Sequence, residues 1–131
     1  MSDEKETYYH HTTKNGAMQI LQSGYIKKST DMVNDATYGP GAYLTKYGPE
    51  KSQSEIAENN YDGINNTFAK KMMDEGKTDA IIAVDLPSNQ VHRATKTRDI
   101  YVSKGNVQLK GNNPKVYLRD ANGKAVEYKQ K

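Results

Sequence analysis

The sequence predicts an α+β fold with mostly antiparallel strands and a few short helices. The chain is strongly polar, 34% hydrophobic with a mean hydropathy of −0.97, yet its apolar residues gather in segments of strand length. Helix-periodic stretches occur only ahead of the apolar run at 79–87. Beyond it come several short strand candidates with no helix between them to act as a crossover, which argues against a parallel doubly wound sheet. A length of 131 residues suits one domain, residues 1–131, around one modest core.

Residues 7–12, rich in Tyr and Thr, read as the first strand. KNGAMQILQSG, residues 14–24, follows as a short helix with Met18, Ile20 and Leu21 inward and Gly24 as its cap. Residues 25–29 are a brief extended piece. Residues 30–41, with Asp, Asn, Gly and Pro, are a loop. GAYLT, residues 41–45, is the second strand. Ser52 or Ser54 opens a helix through Ile56 and Ala57. Residues 64–78 give another, with Ile64, Phe68 and Met72 inward and Gly76 near its end. DAIIAVDLP, residues 79–87, has the length and β-branched content of a central strand. Further strand candidates fall at 90–94, 99–103, 106–110 and 115–119. Residues 116–128 read as a hairpin, because Asn122-Gly123 suits a type I′ turn.

Composition narrows the chemistry. With no Cys there is no disulfide framework, thiolate ligand or thiol nucleophile. No apolar run reaches membrane-spanning length and the N-terminus MSDEKET has no signal-peptide pattern, so the expected setting is soluble, off the membrane and cytoplasmic. Ten Tyr stand against one Phe and no Trp, a balance suited to half-wet surfaces. Residues 1–89 hold 9 Lys/Arg and 13 Asp/Glu, net −4, whereas residues 90–131 hold 10 and 3, net +7. That basic third favours an anionic partner (nucleotide, nucleic acid or acidic protein) or serves as a solubilising surface.

His10 and His11 are neighbours on a strand and point to opposite faces, and His92 stands apart, so no metal site is expected. No serine lies in a G-x-S-x-G elbow, and YGPGAY lacks the Lys and hydroxyl of a phosphate loop. Three features remain, in this order: His10-His11-Thr12 ending a strand, Gly39-Pro40-Gly41-Ala42-Tyr43 opening one, and Arg98-Asp99-Ile100-Tyr101-Val102, where an acid leads a β-branched run. Each alone has an ordinary structural reading. An acid at a strand start is costly unless it faces a cleft or a partner.

Together they resemble the ADP-ribosyltransferase superfamily, on the His–Tyr–acid branch that includes diphtheria toxin and the poly(ADP-ribose) polymerases. A strand His followed two residues later by Ser or Thr is matched by His10 and Thr12. A glycine turn before G-x-Y-hydrophobic is matched by Gly41-Ala42-Tyr43-Leu44, and the acid by Asp99. The text of residues 8 to about 110 is most similar to a small bacterial polymorphic-toxin family named for its His, Tyr and Asp signature. The resemblance implies a split, mostly antiparallel sheet with NAD as substrate.

It also implies roles for individual residues. His10 would hold an adenosine-side ribose hydroxyl, Thr12 the nicotinamide carboxamide, and His11 would approach the nicotinamide through its main chain. Tyr43 would stack on the nicotinamide ring, with Ser52, Ser54 and Tyr61 as further candidates around it. Asp99 would face the cation that forms when nicotinamide leaves; Asp85 is its competitor. Asp in place of Glu shortens the reach by one methylene and argues against chain elongation. The implied activity is mono-ADP-ribosyl transfer to a protein or nucleic acid. NAD glycohydrolysis and a catalytically inactive binding module are the alternatives, and an immunity protein is the partner a toxin would have.

Overall fold

The computed structural model describes residues 5–28, 41–61, 66–95, 99–103 and 105–129. Nine strands, three helices and one short 3₁₀ turn lie among them, and every strand pairing is antiparallel. One sheet has the order β1 (Lys5–Thr12), β4 (Ala80–Pro87), β8 (Lys115–Arg119), β9 (Ala125–Tyr128). A second has the order β3 (Ala42–Leu44), β6 (Tyr101–Ser103), β5 (Val91–Arg93). A short ribbon pairs β2 (Tyr25–Ile26) with β7 (Val107–Gln108). The helices are α1 (Lys14–Ser23), α2 (Gln53–Tyr61) and α3 (Asn66–Asp74), and the 3₁₀ turn spans Ser88–Gln90.

The apolar run is the central strand its composition predicts. β4 pairs with β1 on one side and β8 on the other, and Ala80 to Val84 are all buried. Both faces of β4 are covered, so its sequence is a continuous apolar run rather than an alternation. Ile82, Val84 and Leu86 join Tyr8, Ile20, Leu44, Val107 and Val116 in the main core. α1 starts on a Thr13 cap, whose Oγ1 accepts the Gly16 N–H at 2.9 Å, and ends at Gly24 with φ 87°. Its inward face centres on Ala17 and Ile20, with Met18 and Leu21 half-buried beside them.

Some boundaries and one turn differ from expectation. β1 begins at Lys5, and the candidates at 90–94, 99–103 and 106–110 shorten to Val91–Arg93, Tyr101–Ser103 and Val107–Gln108. Most of the 30–41 loop, and with it Gly39-Pro40, lies outside the described residues, as do Ile64, Arg98 and the side chain of Phe68. The hairpin between β8 and β9 is present, but its turn is not type I′. That turn needs positive φ at both central residues, whereas Gly123 has φ 81° and Asn113 is the one described non-glycine residue with positive φ. Asp120 chooses the alternative. Its Oδ1 accepts the Asn122 and Lys124 N–H groups at 2.9 and 3.0 Å, and its carbonyl accepts Gly123 N–H at 2.9 Å. This is a type I turn closed by a left-handed glycine.

The two larger sheets meet through Tyr9 and Thr45, whose main chains exchange two hydrogen bonds of 2.8 and 2.9 Å. Lys46 reinforces the junction from outside. Its Nζ is 2.7 Å from Glu6 and lies 5.6 and 5.3 Å from the ring centres of Tyr8 and Tyr101, which pack edge to face.

Gly41 shows how closely β3 and β6 approach. A Cβ there would sit 2.4 Å from Val102 Cγ1 and 2.6 Å from the Ser103 carbonyl oxygen, and a backbone atom cannot swing aside. Gly41→Ala is therefore expected to cost about 1–3 kcal/mol of stability, read as a lower urea midpoint; an unchanged midpoint would refute so close a contact.

Candidate functional site

Strand alternation sends the two neighbouring histidines of β1 to opposite faces, as expected. His10 shares a face with Tyr8 and Thr12, and its Nδ1 lies 2.9 Å from the carbonyl oxygen of Tyr43. A carbonyl only accepts, so Nδ1 carries the hydrogen and Nε2 presents a lone pair. Burial lowers the pKa of His10 and keeps the ring neutral. His11 is buried on the other face, with Nε2 donating to the Tyr47 carbonyl at 2.7 Å. Its Nδ1 is a buried acceptor with no partner, and Nε of buried Arg119 is a donor in the same state.

The bond from His10 to Tyr43 has a consequence for the backbone. Tyr9 spends both main-chain groups on Thr45, so alternation directs the N–H and C=O of His11 away from β4, toward β3. A continued β1–β3 ladder would pair them with Tyr43. The Tyr43 carbonyl is instead taken by the His10 imidazole, and the ladder stops after one bridge. Among the described residues the His11 N–H and C=O have no hydrogen-bond partner, on the side of β1 that faces away from β4.

Asp99, just ahead of β6 in the sheet that also holds β3, reaches the residues that follow β3. Its Oδ1 accepts the Thr45 hydroxyl at 2.8 Å and the Lys46 N–H at 2.6 Å. Thus His10 and Asp99, far apart along the chain, both anchor within residues 43–46. Tyr43 is half-buried and lies on Thr45's face of β3 by strand alternation, so His10 meets its main chain rather than its ring. Thr45 and Asn59, both buried, were not singled out from the sequence. Asn59 bonds the main chain of Asp99, and only a β-strand hydroxyl beside the Tyr43 motif could have hinted at Thr45.

The remaining candidates divide. Thr12 is half-buried on His10's face, its Oγ1 packed against Gly16 at the start of α1. Asp85 lies on the opposite face of β4 from Ile82, the residue paired with His10. Its carboxylate accepts the Thr7 hydroxyl at 2.7 Å and Asn113 Nδ2 at 3.2 Å, and these bonds, Thr7's first, lower its pKa. Ser52 closes a capping box: its Oγ accepts the Glu55 N–H at 3.1 Å while Glu55 Oε1 accepts the Ser52 N–H at 3.0 Å. It therefore caps α2, and Ser54 is exposed on the same first turn. Tyr61 is the last residue of α2, and its ring lies outside what the structure describes. His92 is exposed on β5. Among the described residues no helix is long and apolar enough to cross a membrane.

Comparison with known protein families matches residues 8–113 to the model described as HYD1 signature containing ADP-ribosyltransferase. The match spans His10, Tyr43 and Asp99. No curated protein and no solved structure matches the chain.

The buried histidines make stability depend on acid. Burial holds His11 down to about 4, outweighing the bond to Tyr47, against an unfolded value near 6.5. A base with a depressed folded pKa lends stability above its unfolded pKa and loses it as pH falls toward the folded one. His11 is thus expected to cost up to about 3 kcal/mol between pH 6.5 and 4. Urea midpoints across that window should fall in the native chain and fall less in His11→Gln; equal slopes would refute the assignment.

Proposed function

The chain belongs to the family of HYD1-signature ADP-ribosyltransferases, a toxin family, and from that membership we propose that it cleaves the nicotinamide–ribose bond of NAD and transfers ADP-ribose to a macromolecule. The observation that carries the reading is the His11 main chain, which has no hydrogen-bond partner among the described residues and lies beside the bond from His10 to Tyr43. An N–H and a C=O side by side on a strand edge match a primary carboxamide, whose oxygen accepts and whose NH₂ donates. Thr12 Oγ1 lies on His10's face, a further partner for that group. The Tyr43 ring takes the nicotinamide face, where stacking is worth about 1–3 kcal/mol. His10 offers Nε2 as acceptor for a ribose hydroxyl of the adenosine half.

Bond cleavage sends the glycosidic electron pair to the pyridinium nitrogen, and nicotinamide leaves neutral while positive charge builds on the ribose. Asp99 supplies fixed negative charge opposite that cation. One carboxylate oxygen is held by Thr45 and Lys46, so little reorganisation is needed as the charge develops. The acceptor's lone pair then closes on the ribose carbon and its proton is released. The basic C-terminal third supports an anionic acceptor, nucleic acid or acidic protein. A cognate immunity protein that fills the same gap belongs to this reading.

The test is NAD labelled on adenine, incubated with the protein in lysate. Nicotinamide release with label in the macromolecular fraction supports transfer, and nuclease or protease digestion identifies the acceptor. Free ADP-ribose alone would make the protein an NAD glycohydrolase, and no release would leave a binding module. Asp99→Ala is expected to slow release by about 10²-fold or more, while Asp85→Ala stays within about twofold because Asp85 is off the site's face. The reverse pattern would move the acid to Asp85.

A further inference from the structure

We propose that Asn59 is a positioning residue for Asp99, acting through the Asp99 main chain. The inference rests on the reading of Asp99 as the acid that faces the ribose cation. Asp99 precedes β6, so its own N–H and C=O fall outside the β6 ladders to β3 and β5, which begin at Tyr101. Asn59 replaces the missing strand partner. Its Oδ1 accepts the Asp99 N–H at 2.7 Å and its Nδ2 donates to the Asp99 carbonyl at 2.7 Å. The same Nδ2 lies 3.4 Å from Thr45 Oγ1, the hydroxyl that donates to the Asp99 carboxylate. Asn59 is 8% exposed, so water does not compete well for these bonds.

The chemistry of the amide explains why Asn stands there. One side chain must accept from the N–H and donate to the C=O of a single residue, and the amide of Asn or Gln carries its acceptor and its donor on two separate atoms without titrating. Gln would carry the amide a methylene too far from α2. Ile56 and Ala57, on the same helix, are fully buried, so α2 is fixed against the body of the protein and Asn59 transmits that rigidity to Asp99. Thr45 and Lys46 N–H hold one carboxylate oxygen, and Asn59 holds the backbone from which the carboxylate hangs. With Asn59 removed, the carboxylate keeps its partners on β3 but loses the fixed origin of its side chain. A reacting group displaced by about 1 Å costs on the order of 10²-fold in rate.

The experiment measures nicotinamide release from NAD, as kcat and KM, with thermal midpoints recorded in parallel. Asn59→Ala is expected to lower kcat by about tenfold or more with KM for NAD within about twofold, because Asn59 is placed against Asp99 rather than against NAD. Asn59→Asp keeps the shape, but when ionised it cannot donate to the Asp99 carbonyl. Protonation restores the donor, so its kcat relative to the native chain should recover as pH falls toward 5. Among the described residues the charged groups of this cluster are Asp99 itself and Lys46, whose ammonium is turned away to Glu6. An unchanged kcat in Asn59→Ala, or a raised KM with kcat intact, overturns the proposal, as does a pH-independent deficit in Asn59→Asp. If Asn59→Ala does not fold, the Asn59→Asp profile decides alone. Full activity in Asp99→Ala would sink the underlying reading of the acid instead, a distinct result.

Discussion

The imidazole of His10 takes the carbonyl that would have carried the β1–β3 ladder forward, and the candidate site is built around that substitution. Sheets lengthen by default, because each unpaired main-chain group costs free energy once buried. Tyr9 and Thr45 begin such a ladder with two good bonds. One step on, Tyr43 bonds a side chain in place of a strand, and the two sheets part. A histidine suits this position because its ring supplies one donor in a neutral form and still keeps an acceptor for a ligand. A lysine there would carry its charge into a desolvated place, and an aliphatic residue would leave the Tyr43 carbonyl to reclaim the His11 N–H.

The rest of the architecture keeps that opening rigid. β4, buried on both faces, holds β1 straight from behind. Lys46 ties β1 to β6 through Glu6, Tyr8 and Tyr101, so the sheets are clamped next to the point where they diverge. On the far face His11 and Arg119 are buried among main-chain carbonyls. Arg119 donates to Gly123 at 3.0 Å and to Lys51 at 3.1 Å, fastening the β8–β9 turn to the segment that leads into α2. The two adjacent histidines thus divide the work: one opens the front of the strand, the other locks its back.

Much of the frame was legible because its cues are local. The length and β-branching of residues 79–87 named the central strand, Gly24 the end of α1, and Ser52 or Ser54 the start of α2, where the cap is Ser52. Where the reading slipped, a contact beyond the local pattern decided. Asn122-Gly123 fits a type I′ turn taken alone, but Asp120 offers its carboxylate to two N–H groups and stabilises a different loop. The strand candidates at 90–94 and 99–103 shorten to 91–93 and 101–103, where β5 and β3 each pair with three residues of β6.

Residue order and type alone determined the fold class, the placing of helices among early residues and strands among late ones, and the three segments that are candidates for the chemistry. They did so because periodicity, capping and turn preference act within a few residues. Tertiary structure alone decided where each of the two candidate acids places its carboxylate. Face and register separate them: Asp85 is spent on Thr7 and Asn113, and Asp99 is brought to Thr45 and Lys46. It also decided that Asn59 matters, for a side chain that bonds another residue's main chain forty positions away leaves no periodic trace. Such bonds depend on where two elements come to rest against each other, and that is a property of the packed whole.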